Sequence, residues 1–455
     1  MSKIFKPNPD LMWIAQRHGQ DWRDEAVLAA VDWLEGLVPS ADWQARLTAV
    51  EARFQAAKAE WARGRRVPLF DENDRIAWYL HQARRYADPK LRPDYFLPEG
   101  YRISPLMRRI GQLLPDLHNI GGAEERATRL MIENLSQPDD GIYELLVAGT
   151  YRRRGWDKVS FVPETPGAGK RHDLLIDGPR SHWAAECKRS GRSGYSREER
   201  LAGERMSDRA HALSRRAGRS LIVMVRYTQE LNSLGDDYLV DRLERFLNGK
   251  ERFTWEDEGA EGLIVDVDWK PLRRVMLHDD IYFGSSRMLE LLIGKYDPSV
   301  DFTISGEWEP AEGRPLHATW VDHVSLVAWR SVSDEAYRRK AMHFRGLVSR
   351  AANQLPGDRP GVVHVGYEAI AGSSADGRRH ELNRREMQTF EAGSTGLRMV
   401  YGNYFMSELV TARNESAAVV ETMAWYPVGG DRGQGPLPGH MLFNDDDGTP
   451  GSHLR

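Results

Sequence analysis

The chain has 455 residues, with 63 Lys and Arg against 67 Asp and Glu, 41% hydrophobic residues and one cysteine. This length and composition fit a globular protein of about three domains and exclude collagen, a disulfide scaffold and wholesale disorder. Cys187 alone can form neither an intramolecular disulfide nor a multi-cysteine zinc site. No apolar stretch has the length of a signal peptide or a bilayer span, so we expect a cytoplasmic protein with no membrane partner.

The charge is unevenly distributed along the chain. Residues 151–220 contain 17 Lys and Arg but only 9 Asp and Glu, whereas the remaining residues contain 46 and 58. A basic segment in an otherwise acidic chain suggests a surface for a polyanion such as nucleic acid. An arginine-rich helix that faces solvent is the alternative, and charge alone leaves both open.

The order of the predicted elements indicates an α/β protein, α+β overall, in four parts. The first part, residues 1–122, is expected to be helical, because tryptophans and alanines recur at helical spacing among charged residues. Asp74 is placed to cap a helix that runs to Tyr86. Gly121 and Gly122 offer a break before the next part.

The second part, residues 123–235, is predicted to be a mixed sheet flanked by helices. After a first helix near residues 123–135, a second helix at about 141–153 would be capped by Asp139 or Asp140 and ended by a glycine. Three strands, a charged helix and a fourth strand follow. They are predicted at residues 158–163, 172–177, 182–188, 196–217 and 220–226.

The third part, residues 236–428, is predicted to be a second α/β region. Its clearest feature is an apparent parallel crossover of strand 320–329, helix 334–354 and strand 361–368. The fourth part, residues 429–455, is rich in Gly, Pro and Asp and is expected to be a flexible tail.

The chemically informative segment is a predicted hairpin at residues 172–188. Its turn sequence, DGPR at residues 177–180, is typical of a tight loop. If the four residues after position 177 form this loop, the numbers of opposite residues add up to 359. Asp173 then lies directly opposite Glu186, with Cβ atoms about 5 Å apart.

Alternation of side chains sorts the hairpin into two faces. One face carries Asp173, Glu186 and Lys188 at one end. Like charges on opposite strands destabilise a sheet, and a magnesium ion would offset the repulsion because it prefers hard oxygen ligands. The main-chain carbonyl of Cys187 is a further candidate ligand. The other face is apolar and fits a core: Leu174, Ile176, Trp183, Ala185 and Cys187.

Glu144 is a third candidate carboxylate. It lies within a nearly continuous apolar run at residues 142–147. A glutamate there either lies on a narrow solvent-facing stripe or is buried for a functional reason, because a buried carboxylate without a partner is costly. Position in the sequence does not decide between the two.

Together these residues resemble the PD-(D/E)XK nuclease superfamily, the restriction-endonuclease-like proteins. Its pattern is a glutamate on an early helix, an aspartate on a strand and E-x-K on the next strand. In this sequence the pattern falls on Glu144, Asp173 and the triplet 186–188. The resemblance covers about residues 123–230, and His172 stands where the namesake proline of the family is found.

The resemblance implies a central restriction-endonuclease-like mixed sheet and Mg²⁺-dependent hydrolysis of phosphodiester bonds, with Mn²⁺ as a substitute. Asp173 and Glu186 would hold the metal with the main-chain carbonyl of Cys187, and Glu144 would bind a second ion or position Lys188. Lys188 would orient or deprotonate the attacking water, or neutralise charge on the phosphate. Restriction, repair and anti-phage defence are the usual contexts of this family.

The expected partner is nucleic acid, with double-stranded DNA as the first candidate and RNA left open. Arg189 and Arg192 directly follow Lys188, and we predict that they contact the phosphate backbone. A homodimer or partner subunits of a larger system are also open, because no interface can be identified in the sequence.

Two other functions remain open at this stage. The same fold would also suit a catalytically inactive subunit for nucleic-acid binding or assembly. Alternatively, Asp266 and Asp268 resemble the D-x-D pair of metal-dependent glycosyltransferases, which would place a transferase in the C-terminal region. The ordinary interpretation of this pair is the end of an amphipathic strand.

Overall fold

The structure is a computed structural model, and it describes residues 23–62, 67–163, 171–190, 194–249, 252–294, 300–312, 314–368, 373–409, 417–428, 435–437, 442–443 and 452–453. In this part of the chain the helices before the first strand are α1 (Glu25–Glu35), α2 (Ser40–Ala62), α3 (Arg75–Ala87), α4 (Leu97–Leu117), α5 (Ala123–Ile132) and α6 (Pro138–Arg153). The elements that follow are, in chain order, β1 (Lys158–Phe161), β2 (Leu174–Asp177), β3 (His182–Ser190), α7 (Gly194–Arg216), β4 (Leu221–Tyr227), α8 (Tyr238–Leu247), β5 (Arg252–Glu256), β6 (Ala260–Asp266), α9 (Trp269–Met276), β7 (Ile281–Tyr282), α10 (Ser286–Ile293), β8 (Asp301–Ala311), β9 (Arg314–Ser331), α11 (Asp334–Ala352), β10 (Gly361–Glu368), α12 (Ser373–Gln388), β11 (Leu397–Leu409), β12 (Ala417–Pro427) and β13 (Ser452–His453).

Two N-terminal signals act as the sequence predicts. The Asp74 side chain caps α3 by accepting a hydrogen bond from the main-chain nitrogen of Ala77 at 3.3 Å. Gly122 precedes α5 with a φ of +80°, a conformation that glycine adopts without steric cost. The helices of residues 23–153 then bury a continuous apolar core together with one face of the first sheet.

The predicted start of α6 is wrong by three residues. The helix begins at Pro138, which suits the first helical position because proline lacks an amide hydrogen there. Asp139 therefore lies inside the first turn, where it accepts hydrogen bonds from the hydroxyl of Tyr79 at 3.1 Å and from Arg102 at 3.2 Å. The early start places Asp140 and Glu144 one turn apart on the same side of the helix.

Two mixed sheets organise the rest of the chain. The first has the strand order β1-β2-β3-β10-β11-β12-β13. In it β1, β2 and β3 form an antiparallel meander, and β3, β10 and β11 run parallel. The second has the order β5-β6-β4-β9-β7, and β8 pairs with β9. The mixed α/β class predicted from the sequence is confirmed.

The predicted partition of strands between the sheets is wrong at two places. The strand at 221–227, expected beside the hairpin, pairs instead with β6 and β9 in the second sheet. The expected crossover also fails, because β9 lies in the second sheet and β10 in the first. The first sheet therefore extends beyond the boundary predicted at residue 235. All strands offer the same main-chain donors and acceptors, so the sequence of a short apolar strand does not determine which sheet it joins.

Helices cover both faces of each sheet. The first sheet lies between the N-terminal helices, with α6 central among them, and the pair α11 and α12. The second sheet lies between α7 and α8 on one face and α9 and α10 on the other. Among the described residues, no helix is both long and apolar enough to cross a bilayer.

Part of the predicted flexible tail packs against the body of the protein. Leu437, Leu442 and Phe443 are buried, and β13 pairs with β12. The anchor is the buried carboxyl of Glu421, which accepts hydrogen bonds from the main-chain nitrogens of Leu442 and Phe443 at 2.9 Å. The glycine and proline content predicted a flexible tail, because composition gives no information about a distant partner such as Glu421.

Glu421 should make stability depend on pH. Burial raises its pKa to about 7, although hydrogen bonds from Leu442, Phe443 and Asn403 oppose the shift. The folded state then holds a proton that the unfolded chain releases near pH 4.5. The contribution of Glu421 to stability is therefore present below pH 4.5 and is lost as the pH rises toward 7.

The test is chemical unfolding of wild type and Glu421→Gln between pH 5 and 8. Relative to wild type, the variant should gain up to roughly 3 kcal/mol of stability as the pH rises across this range, because it has no proton to lose. Glu309→Gln, at an exposed position of β8, is the matched control and should follow wild type. A constant difference between Glu421→Gln and wild type would contradict the assignment.

Candidate active site

The hairpin of β2 and β3 has the register that the sequence predicts. Leu174 pairs with Ala185 and Asp177 with His182, so opposite residue numbers add up to 359. One position beyond this ladder, the main-chain nitrogen of Asp173 donates to the carbonyl of Ala185 at 3.1 Å. Ala185 already pairs with Leu174, so this bond is one residue out of the register of the ladder. Asp173 nevertheless lies close to Glu186, because its carboxylate raises the pKa of that residue.

The two faces of the hairpin also follow the prediction. The apolar face of the hairpin packs into the core that it shares with the N-terminal helices. Trp183 is partly buried there, and the fully buried residues of this face are Leu174, Ile176, Ala185 and Cys187. This packing fixes the polar face, because side chains alternate strictly along a strand. Ala184, on the polar face, packs against α11. The candidate catalytic side chains thus stand on a strand that is covered on both sides.

Glu186 is the most deeply buried carboxyl of the hairpin, with a side chain only 1% exposed. Its Oε1 accepts a hydrogen bond from the ammonium group of Lys188, whereas Oε2 has no hydrogen-bond partner among the described residues. Burial and, next, the adjacent Asp173 carboxylate raise the pKa of Glu186 to about 8 against the opposing effect of Lys188. A buried oxygen without a partner is costly.

Asp173 is held by two hydrogen bonds. Its Oδ2 accepts from the main-chain nitrogen of Cys187 at 2.8 Å, and its Oδ1 accepts from the guanidinium of Arg126 at 2.8 Å. The first bond orients the carboxylate toward β3, where Glu186 lies. The second connects it to helix α5, which sequence reasoning did not associate with the site.

Glu144 projects from α6 toward the same place. Its Oε2 lies 2.5 Å from Nε of Arg126, whose side chain is only 11% exposed. Burial raises the pKa of Glu144 well above its usual range, and repulsion from Asp173 adds to this while Arg126 opposes it. The buried alternative for Glu144 is thereby confirmed, and Arg126 forms an ionic bridge between Glu144 and Asp173.

Asp140 is the second residue of the site that sequence reasoning missed. Burial raises its pKa to about 6; Asp139 also raises it, and Arg189 and Lys188 lower it. Its position four residues before Glu144 was the available signal, since such residues share a helix face. Arg126 offered no signal, because its neighbours Glu124 and Glu125 make it look like an ordinary surface residue. We call Asp140, Glu144, Asp173 and Glu186 the carboxylate cluster.

One pair in the carboxylate cluster, Asp173 and Glu186, offers the oxygen ligands that a hard divalent cation prefers. Asp173 and Glu186 lie close enough for mutual repulsion, and Glu186 has an unsatisfied buried oxygen. Within the described residues, however, no three or more His, Cys, Asp or Glu side chains converge closely enough to hold a metal ion. Arg126 explains this, because its guanidinium stands between Glu144 and Asp173. A second ion at Glu144 stays a prediction.

Of the two arginines predicted to contact nucleic acid, the structure describes only Arg189. The guanidinium of Arg189 lies 4.9 Å from the centre of the Phe405 ring and near Asp140. Arg192 lies outside the described residues. On α7, Arg200 and Arg209 pair with acidic groups, which favours the solvent-facing interpretation of that helix.

The D-x-D pair of the second sheet makes contacts within the chain. Asp266 accepts two hydrogen bonds from the guanidinium of Arg219, at 2.9 and 2.7 Å. Asp268 caps α9 by accepting from the main-chain nitrogen of Lys270 at 3.0 Å. These are the contacts of a strand end followed by a helix start, the ordinary interpretation of the pair.

Comparisons with protein-family models, with characterised proteins and with solved structures find no match to this chain.

Proposed function

We propose that the protein is a metal-dependent nuclease of the restriction-endonuclease-like class, acting on DNA. The observation that carries this proposal is the meeting of Asp173, Glu186 and Lys188 at the end of one hairpin away from its turn, with the unpartnered buried oxygen of Glu186 among them. An ordinary surface hairpin has no reason to bury a glutamate beside a second carboxylate.

The topology around the hairpin supports the same proposal. Helix α6 precedes an antiparallel meander of β1, β2 and β3, and α11 leads into β10, which pairs parallel to β3. Helix, meander, helix and parallel strand is the order that the resemblance implies. The second sheet is inserted between β3 and α11, so the proposed nuclease core is discontinuous in sequence.

Asp173, Glu186 and the main-chain carbonyl of Cys187 would hold a magnesium ion. A bound ion would lower the pKa of a coordinated water and stabilise charge on the phosphate. Cys187 also contributes through its amide, which fixes the orientation of Asp173. Arg126 neutralises Asp173 and Glu144 when the ion is absent.

Lys188 is suited to donate hydrogen bonds rather than to accept a proton. Burial lowers its pKa, but its interactions with Glu186 and Asp173 together raise the pKa above its usual value. The ammonium group is therefore charged at neutral pH, with its side chain 27% exposed at the surface of the site. A charged donor in this place can orient a water molecule or neutralise a phosphate oxygen.

The test is incubation of the full chain with linear duplex DNA, circular duplex DNA and single-stranded RNA in Mg²⁺, Mn²⁺ or EDTA. We expect metal-dependent cleavage of DNA and none in EDTA. Cleavage of the circular substrate would identify internal cutting. Binding of DNA without cleavage in either metal would contradict the proposal and favour the inactive-subunit alternative, whereas cleavage in EDTA would contradict the metal assignment.

A further inference from the structure

A concave pocket of about 590 Å³ lies on the second sheet, which does not carry the carboxylate cluster. Its volume is within the usual range of small-molecule sites, about 300–1,000 Å³. The floor consists of side chains of β4, β6 and β9, and the wall consists of side chains of α10 and β8. The apolar residues that define it are Met224, Leu263, Leu326, Leu289, Ile293 and Phe302.

The pocket leaves apolar surface accessible to water. Helices α9 and α10 cover this face of the sheet, but Met224, Leu263 and Phe302 remain only partly buried. Ile293, at the end of α10, is also partly buried. An apolar group seated here would remove this surface from water, which is favourable by about 25 cal/mol per Å².

A row of charged residues crosses the mouth of the pocket. Glu256, Glu261, Arg226 and Arg330 lie on four neighbouring strands, and each is in register with the next. Nη1 of Arg226 binds Oε1 of Glu261 at 2.7 Å. Arg330 is exposed and has no acidic partner in the described part of the chain.

The row is therefore polarised. Arg226 and Arg330 are adjacent like charges, and because Glu261 pairs with Arg226, Arg330 is the one of the two without an acidic partner in the described residues. Glu256, the acidic end of the row, lies three strands from Arg330, which is roughly 14 Å at about 4.8 Å per strand. An anionic group at Arg330 would supply the missing countercharge without approaching Glu256.

We propose that this pocket binds a small amphipathic anion. Its apolar body lies on the floor around Met224 and Leu263, and its carboxylate or sulfonate group binds Arg330 beside Arg226. This inference is independent of the nuclease proposal, because it uses no residue of the carboxylate cluster.

The test is a fluorescence titration of the full chain with anilinonaphthalene sulfonate, followed by competition with dodecanoate. We expect saturable binding and displacement by dodecanoate. Arg330→Glu should weaken binding of both probes by about tenfold or more, because a charge-assisted contact is replaced by repulsion. Arg252→Glu, an exposed arginine of β5 outside the pocket, is the matched control and should bind like wild type.

A second variant tests the apolar floor. Ala328→Trp places a large side chain in the pocket and should abolish binding while the unfolding transition persists. If that variant does not fold, Arg330→Glu decides alone. Equal binding by Arg330→Glu and Arg252→Glu, or equal competition by the cation dodecyltrimethylammonium, would overturn the proposal, and so would the absence of saturable binding.

Discussion

Replacing Asp173 by asparagine is expected to lower metal-dependent DNA cleavage by more than about 100-fold. Loss of a residue that only orients a metal ligand typically costs 10- to 100-fold, so loss of a ligand should cost more. The amide oxygen of the variant can still accept the hydrogen bond from Cys187, but the ion pair with Arg126 is lost, so the fold of the variant must be verified. The measurement is the initial cleavage rate at saturating Mg²⁺, with circular dichroism to verify the fold.

Asp177→Asn is the matched control for this experiment. Asp177 lies four residues further along the same arm of the hairpin, at about 13 Å from Asp173. It bonds His182 at 2.9 Å near the turn and lies outside the carboxylate cluster. Its variant should cleave at nearly the wild-type rate. Undiminished cleavage by Asp173→Asn would eliminate this site as the source of the activity.

Removing the Arg126 guanidinium should have the largest effect on stability. Arg126→Ala leaves Glu144 and Asp173 without the cation that bridges them, and both side chains are less than 15% exposed. Removing one partner of a buried ion pair typically costs about 3–5 kcal/mol. Burial already raises the pKa of Glu144 well above its usual range, so its protonation relieves part of the repulsion in the variant. We therefore expect a loss of about 3 kcal/mol in the free energy of unfolding, measured by denaturant titration in EDTA near neutral pH.

Arg129→Ala provides the comparison. Arg129 is on the same helix and forms an exposed pair with Glu133, which should contribute less than about 1 kcal/mol. Mg²⁺ or Mn²⁺ should restore part of the stability lost by Arg126→Ala, because a cation replaces the missing charge, and should leave Arg129→Ala unchanged. Equal losses in the two variants would mean that the Arg126 bridge does not stabilise the cluster.

The hairpin could be predicted because its determinants are local. The turn sequence set the loop length, and strict alternation then assigned each side chain of β2 and β3 to a face. Asp173 and Glu186 follow from this arithmetic, and the burial of Leu174 and Ile176 agrees with it. The start of α3 was similarly predictable, because its capping residue Asp74 lies directly before it.

The environment of the site could not be predicted in the same way. Arg126 reaches Asp173 over 47 positions of sequence, and the segment at residues 442–443 reaches Glu421 from beyond the last long strand. Such contacts depend on how helices and strands pack, and a single sequence carries no pattern that pairs one arginine with one distant carboxylate. Asp140 is intermediate, because helical spacing related it to Glu144 but did not show that this helix face is turned toward the hairpin.

The sequence by itself determined the α/β class and the register of the hairpin, and from that register it predicted that Asp173, Glu186 and Lys188 lie together. Only the tertiary structure decided that β10, rather than β4, lies beside β3, and that Arg126 and Asp140 join the site. The physical reason is the range of the forces involved. Side-chain alternation and turn geometry act over a few residues, whereas sheet membership and buried ion pairs arise when distant segments exclude water together.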